Sequence, residues 1–545
     1  MMLGIVGGRV YDPCNGRDGE VADVWVKDGR VVEAAAIDRE RAEIVDAAGL
    51  VVMPGGVEIH SHLVGAKVNS GRKLRPEDHR GNERVRAGAF RSGVGGTVPT
   101  TYVSGYLYSE MGYTTIMEAA TAPLVARHTH EELEDMPNLD KGVFITMGNN
   151  HFIMQAVSEG RPEMARDYVA WLLKATKGYA IKLVNPGGVE NWKWGKNVSE
   201  LDDPVIGYEG VTPRKIVETL AWVNEELGLP HVPHIHGINL GRSTSARTTV
   251  ETMKTLAGRR AHYCHLQFLS YGEGPRHVNK GEAAAVAAAV NADPAMTVDV
   301  GQIVFGQATT MTSDGPLQYS LHQTAGGRWM NDDVESESGG GIVPIVYKRT
   351  NPVNATMWRT GLEIFLLVED PWRVFLTTDH PNGGRFTSYP QVIRLLMDRA
   401  YREETFAGIH ARARKGALLP ELEREYSLYD IAVITRAGPA RALGLETKGH
   451  LGVGADADIA IYAEQDDKEA MFAKPRYVFK DGVLVARDGV LVAEVPGRTF
   501  YVAPPYDPAI EDEIRAYFER AYTVAYENYA VLAGDVAGAE PVACG

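Results

Sequence analysis

The chain has 545 residues, with 71 acids against 56 bases, a formal charge of −15, 44% hydrophobic residues and 23% charged ones. That length exceeds one simple core and implies two or three domains. The acidic balance argues against nucleic acid or an anionic membrane as the main partner, since both need a basic surface. No apolar run reaches the roughly 18–20 residues of a membrane helix.

The N-terminus, MMLGIVGGRVYDPCNG, has no basic stretch leading into a long apolar one, so it does not read as a signal peptide. Cys14, Cys264 and Cys544 lie far apart, which fits a reducing, cytoplasmic compartment and offers no disulfide framework. Next come short β-branched runs broken by Asp-Gly, VADVWVKDGRVVEA, the signal for hairpins. The same pattern returns near the other end, in ADADIAIYAEQDD and PRYVFKDGVLVARDGVLV. Residues 1–54 and 437–500 are therefore expected to form one small β-domain; two separate β-subdomains are the alternative.

Residues 55–436 alternate apolar strands (VEIHSH, AIKLVNP, HVPHIHG, HYCHLQF, RVFLTTD) with helix patterns such as RKIVETLAWVNEELG and KGEAAAVAAAV. This alternation predicts parallel βα units. A (β/α)8 barrel with insertions fits. A doubly wound open sheet is the rival, but no Gly-rich fingerprint follows the first strand. From residue 501 a Pro-rich stretch leads into a predicted helix, EDEIRAYFERAYTVAYENYAVL. Its aromatics Tyr517, Phe518, Tyr522, Tyr526 and Tyr529 face either their own domain or another subunit.

The candidate site residues stand at the ends of candidate strands. His60 and His62 flank Ser61, and alternate strand residues face one side. The pair alone is weak: 16 histidines give about half a His-x-His by chance, and there are three. His128/His130 lies in a charged helical stretch and reads as a solvated surface pair. Lys182, in YAIKLVNPGG, is either a lysine reaching back to water or an amine whose burial favours carbamate formation. His236 ends its strand and is placed at the mouth, with His234 the open alternative. His265 is a further candidate ligand, while His231 and His262 read as core neighbours. Asp379, in TTDHPNGG, is either a turn residue or a strand-end carboxylate able to contact a metal and accept a proton.

This order of His-x-His, Lys, His, His and Asp resembles the amidohydrolase superfamily. The resemblance implies a (β/α)8 TIM barrel with a small β-sandwich from both chain ends, followed here by a C-terminal helical extension at 501–545. It implies two divalent metal ions held by His60, His62, Lys182, His236, His265 and Asp379. Carboxylated Lys182 bridges them, and Asp379 also serves as the base. Zinc suits these ligands, although manganese, iron, cobalt and nickel also accept them. Longer stretches, among them GGVEIHSHLVGAKVNSGRKLRPEDH, IKLVNPGGVENWKWGKNV, NDDVESESGGGIVPIVYK and DPWRVFLTTDHPNGGRFTSYP, resemble the A-subunit family shared by formylmethanofuran dehydrogenases and bacterial formyltransferase/hydrolase complexes.

That narrower resemblance implies hydrolysis of an N-formyl group on a methanofuran/methylofuran-type carrier. It also implies partner subunits, including a formyltransferase. In a tungsten or molybdenum dehydrogenase the same subunit works in the formate-condensing direction. The Ala- and Arg-rich segments GEAAAVAAAV and HARARKGALL lean toward the bacterial complex. Candidate carrier contacts are Asn185, His322, Arg72, Lys73 and Arg75, with ordinary loop structure the simpler reading. A dihydroorotase- or hydantoinase-like cyclic amidase and a non-catalytic scaffold are the rivals.

Overall fold

In the computed structural model, residues 1–256, 258–274, 280–331 and 340–545 are described. Residues 332–339 of the NDDVESESGGGIVPIVYK stretch lie outside them.

Eight parallel strands occur in chain order: β1 (Gly56–Ser61), β2 (Tyr113–Thr121), β3 (Asp140–Thr146), β4 (Ala180–Val184), β5 (His234–His236), β6 (Ala261–Tyr263), β7 (Met296–Asp299) and β8 (Val374–Phe375). Each pairs with its sequence neighbour. The ring closes where Ser61 bridges His380 and the His62 amide donates to the His380 carbonyl at 2.7 Å. β3 and β4 are buried along their whole length, as parallel strands covered on both faces must be. Helices return between them, several opening on proline, as in Pro162–Thr176, Pro213–Glu226 and Pro352–Leu367. A proline there gives up only an amide that has no partner in the first turn. The barrel is thus the expected one.

The two chain ends build one nine-stranded sheet. Its seam is Leu50–Pro54 paired antiparallel with Ile459–Ala463. The sheet has its own apolar cluster, including Leu3, Ile5, Val24, Ile459 and Phe479.

Two local expectations are corrected. His130 is not on the surface: it is 1% exposed and its Nε2 meets the Thr176 carbonyl at 2.9 Å. In the helix Ala126–Glu134, residues 126, 130 and 133 share the buried face, so i and i+2 point apart there; His128 stays outside beside Glu132. The C-terminal segment is α-helical only over Ile510–Ala521, followed by short 3-10 turns at Tyr526–Asn528 and Ala533–Asp535. Its remainder folds back, and Tyr526 and Tyr529 stack on Trp171 of the barrel helix Pro162–Thr176 at 5.6 and 5.9 Å. Strands Thr499–Tyr501 and Ala539–Pro541 extend the barrel sheet from β3, so the extension is not purely helical. No described helix is long and apolar enough to cross a membrane.

Candidate metal centre and its cavity

The strand ends bring most of the predicted residues together. His60 is the penultimate residue of β1, and His62 follows the strand. Lys182 lies in β4, His236 ends β5, and His265 and Asp379 follow β6 and β8 by a few residues. All are buried. Asn185, His265 and Asp379 have φ of 40°, 37° and 48°. That left-handed backbone is costly for a side chain and gathers at functional loops. It turns the chain sharply as it leaves β4, β6 and β8.

Asp379 is the hub. Its Oδ1 lies 3.0 Å from His60 Nε2 and 3.3 Å from His62 Nε2, and accepts from Asn382 Nδ2 at 2.9 Å. Among the described residues its Oδ2 makes no hydrogen bond. His60 Nε2 is buried and makes none despite its closeness to Asp379, as expected of two donors arranged about a cation rather than bonded to each other. Burial and Lys182 push His60 down, but Asp299 and Asp379 prevail and hold it well above its usual value. Burial would raise Asp379, yet His265 and His60 hold its carboxyl well below the carboxylate range. The cluster therefore calls for positive charge.

Each histidine's second nitrogen shows which atom is left for a metal. His62 Nδ1 meets Glu118 Oε1 at 3.2 Å; Glu118 Oε2 also accepts from the Leu63 and Val64 amides at 2.6 and 3.1 Å. His236 Nε2 meets Asp314 Oδ2 at 3.3 Å, and Nδ1 makes no hydrogen bond among the described residues. His265 Nδ1 is buried without a partner. Such outer partners orient ligating imidazoles. His234 differs: its Nε2 is 2.8 Å from His60 Nδ1 and its Nδ1 is 3.1 Å from His231 Nε2, so both nitrogens are engaged.

Three donor sets converge in the barrel: His60, His265 and Asp379; His60, His234 and Cys264; and His234, His262 and Asp299. In the last two, His234 already spends its lone pair on His60, and Asp299 accepts from His262 Nε2 at 3.1 Å. Of these, only the first includes a residue, Asp379, that lines the cavity above. Lys182 is 1% exposed and donates to Cys264 Sγ at 3.0 Å. Among the described residues no carboxylate lies within ion-pair distance of it. A buried ammonium without a counter-charge is costly; carboxylation of Lys182 in the presence of divalent ions would remove that cost. The donor set thus fits two divalent ions and a carboxylated lysine.

Above the centre opens a cavity of about 590 Å³ with Asp379 and Asn382 at its base and Asn197, Asn239, Arg242, Phe268, Asp314 and Tyr347 in its walls. Gln318, Ser320 and Leu321 of the nominated segment around His322 line it, but the side chains of Asn185, His322, Arg72, Lys73 and Arg75 do not. The Arg72 guanidinium braces the loop after His62, donating to the Leu63 and Pro99 carbonyls at 2.9 and 2.8 Å. Lys73 is exposed on the outer face of its helix. Arg75 is buried against Asp78 and donates to the Ala308 carbonyl. His322 stacks on Trp329. Asn185 works one layer back, donating to Asp314 Oδ1 at 3.0 Å and so holding the partner of His236.

Sequence reasoning passed over Glu118, Asp299, Asp314 and Asn382. The first two had a signal: an acid in or at the end of an apolar strand, as for Lys182. Asp314 and Asn382 sit in loops, where polar residues are ordinary.

The family model described as the amidohydrolase family matches residues 43–486. The protein FwdA of Methanocaldococcus jannaschii is 48% identical over 97% of this chain and 96% of its own length. The Fhc A-subunit of the formyltransferase/hydrolase complex of Methylorubrum extorquens is 40% identical over the same shares. A chain of the crystal structure of the formyltransferase/hydrolase complex FhcABCD from M. extorquens, solved with methylofuran, superposes with a TM-score of 0.94 at 38% identity over the whole of both chains. A barrel whose strand ends gather this donor set, matched over most of its length by that family model, belongs to the amidohydrolase family.

Proposed function

We propose that this chain is the metal-dependent hydrolase subunit of a formyltransferase/hydrolase-type complex. It cleaves the N-formyl group of a methanofuran/methylofuran-type carrier to formate and the free amine. The observation that carries this reading is the 0.94 superposition, over its whole length, on a chain of a complex solved with methylofuran, together with the convergent donor set around Asp379. Partner subunits, including a formyltransferase, are proposed on the same likeness, and a cytoplasmic setting on the three widely spaced cysteines.

The proposed ligands are His60, His62, carboxylated Lys182, His236, His265 and Asp379, with zinc as the metal. His236 is preferred to His234 because its Nδ1 is unengaged, whereas both nitrogens of His234 are spoken for. Divalent ions at such a centre make water acidic enough to supply hydroxide near neutral pH and polarise a carbonyl oxygen. Asp379 has Oδ1 turned to His60 and His62, and its Oδ2 takes the proton of the attacking water. Hydroxide adds to the formyl carbon. As the C–N bond breaks, Asp379 returns the proton to the leaving nitrogen. The cavity walls hold the rest of the carrier, and Asn382 keeps Asp379 in place through Oδ1.

The test is direct. Purified protein is incubated with the N-formylated furan carrier and, separately, with dihydroorotate-like cyclic amides. Formate release without ring opening is expected; ring opening without formate would overturn the reading.

One observation favours a second reading. Identity to the archaeal FwdA, 48%, exceeds the 40% to the bacterial relative, against the compositional lean. On that reading the same centre joins formate to the free carrier. A co-purifying tungsten or molybdenum subunit would mark it.

A further inference from the structure

We propose that a one-way chain of hydrogen bonds rising from the barrel floor, from the Ala442 carbonyl through His231 and His234, sets the tautomer of His60 and so aims its Nε2 lone pair at the metal. His231 and His234 are thereby positioning residues. The inference rests on reading His60 as a metal ligand.

The argument needs only donor and acceptor bookkeeping. A neutral imidazole has one N–H and one lone pair. The Ala442 carbonyl can only accept, and it lies 2.7 Å from His231 Nδ1; that nitrogen must carry the proton. His231 is neutral, because burial pushes it down to about 3, so its Nε2 is an acceptor. His234 Nδ1, 3.1 Å away, must then be the donor, and His234 Nε2 the acceptor. His60 Nδ1, 2.8 Å from that atom, must carry its proton there. With Nδ1 committed as the donor, His60 Nε2 is the nitrogen left for a metal; it is buried, without a hydrogen bond among the described residues, beside Asp379.

Each step is forced by the one below it. The side branch reinforces the direction: Asp299 Oδ2, also acceptor-only, lies 3.4 Å from His60 Nδ1. His262 satisfies that same oxygen, but its other nitrogen faces the Thr297 hydroxyl at 2.9 Å. A hydroxyl can give or take, so that branch imposes no sense of its own. The backbone carbonyl does.

Neither His231 nor His234 is among the proposed metal ligands, yet both are fully buried polar groups in the barrel interior. In His231→Phe a ring of similar size can keep stacking on Phe144, now 5.1 Å away, while the acceptor for His234 is lost. His234 is then free to turn its N–H toward His60. His234→Leu removes the acceptor that faces His60, and His234→Gln restores one.

The experiment strips the full chain of metal with a chelator. It then titrates zinc, and separately cobalt(II), in competition with a chromophoric chelator, with circular dichroism to check the fold. Wild type is expected to take two equivalents. His231→Phe and His234→Leu should each weaken one equivalent by about ten- to a hundredfold and alter the cobalt(II) absorption band; His234→Gln should recover most of the affinity. A folded His231→Phe or His234→Leu that binds both equivalents within twofold of wild type would overturn the proposal. His60→Ala separates the two failures: if it keeps both equivalents, the reading of His60 as a ligand fails instead.

Discussion

Asp379 is asked to do two things with one carboxylate. Oδ1 belongs to the histidine side and is held by Asn382, while Oδ2 has no partner among the described residues. Asp379→Asn keeps an oxygen for the metal side but cannot accept a proton. Turnover should fall by about 10²–10⁴-fold with metal content nearly unchanged; steady-state kinetics beside elemental analysis would show it, and full activity would exclude the base role. The six residues could be nominated from sequence, with His234 left open beside His236, because strand ends face the mouth of a barrel. The residues that orient them could not. Glu118 is 56 residues from His62 and Asp314 is 78 from His236; only the closed barrel makes them neighbours. The choice of His236 over His234 likewise needed to see which nitrogens were already bonded.

At the level of elements, the barrel and the seam between the chain ends followed from periodicity and Asp-Gly hairpins. Elements whose fate is set by packing did not. His130 is buried because its helix turns that face inward, and the C-terminal helix stops at Ala521 where the following aromatics find Trp171. A buried ion cluster lies where the two bodies meet. Lys448 pairs with Asp458 at 2.6 Å and Asp456 at 3.0 Å and also with Asp140 at the start of β3; Lys480 and Arg498 complete the cluster.

Burial would raise Asp140, but Lys448, Lys480 and Arg498 hold it well below its usual value. Its contribution is therefore present above the unfolded aspartate value of about 3.9 and is lost as pH falls through the folded value. Lys448→Met leaves buried acids undercompensated and should cost about 3–5 kcal/mol at neutral pH. That gap should narrow as pH drops below about 4. Denaturant melts at several pH values check this; a gap that does not depend on pH would contradict it.

For the whole molecule, the charge of −15 excluded partners but named none. A lone amidohydrolase barrel is compatible with many amides, since fold does not fix substrate. The carrier entered through likeness along the whole chain rather than through the ligands. The centre also links metal to stability. Ions that bind only the folded chain should add about 4 kcal/mol when present at a thousandfold excess over their Kd. Chelation should accordingly lower the melting temperature, and added zinc should restore it; an unchanged melt would place the metals elsewhere or nowhere.

Lys182 decides most directly whether the centre is binuclear, because among the described residues its buried amine has no carboxylate partner, and the proposed bridge would give it one role. The measurement is the metal content of Lys182→Ala beside wild type. The prediction is two equivalents in wild type, fewer in the variant, and partial recovery of metal when a short carboxylic acid is supplied. Two equivalents retained in Lys182→Ala would contradict the bridge and, with it, the account of the site.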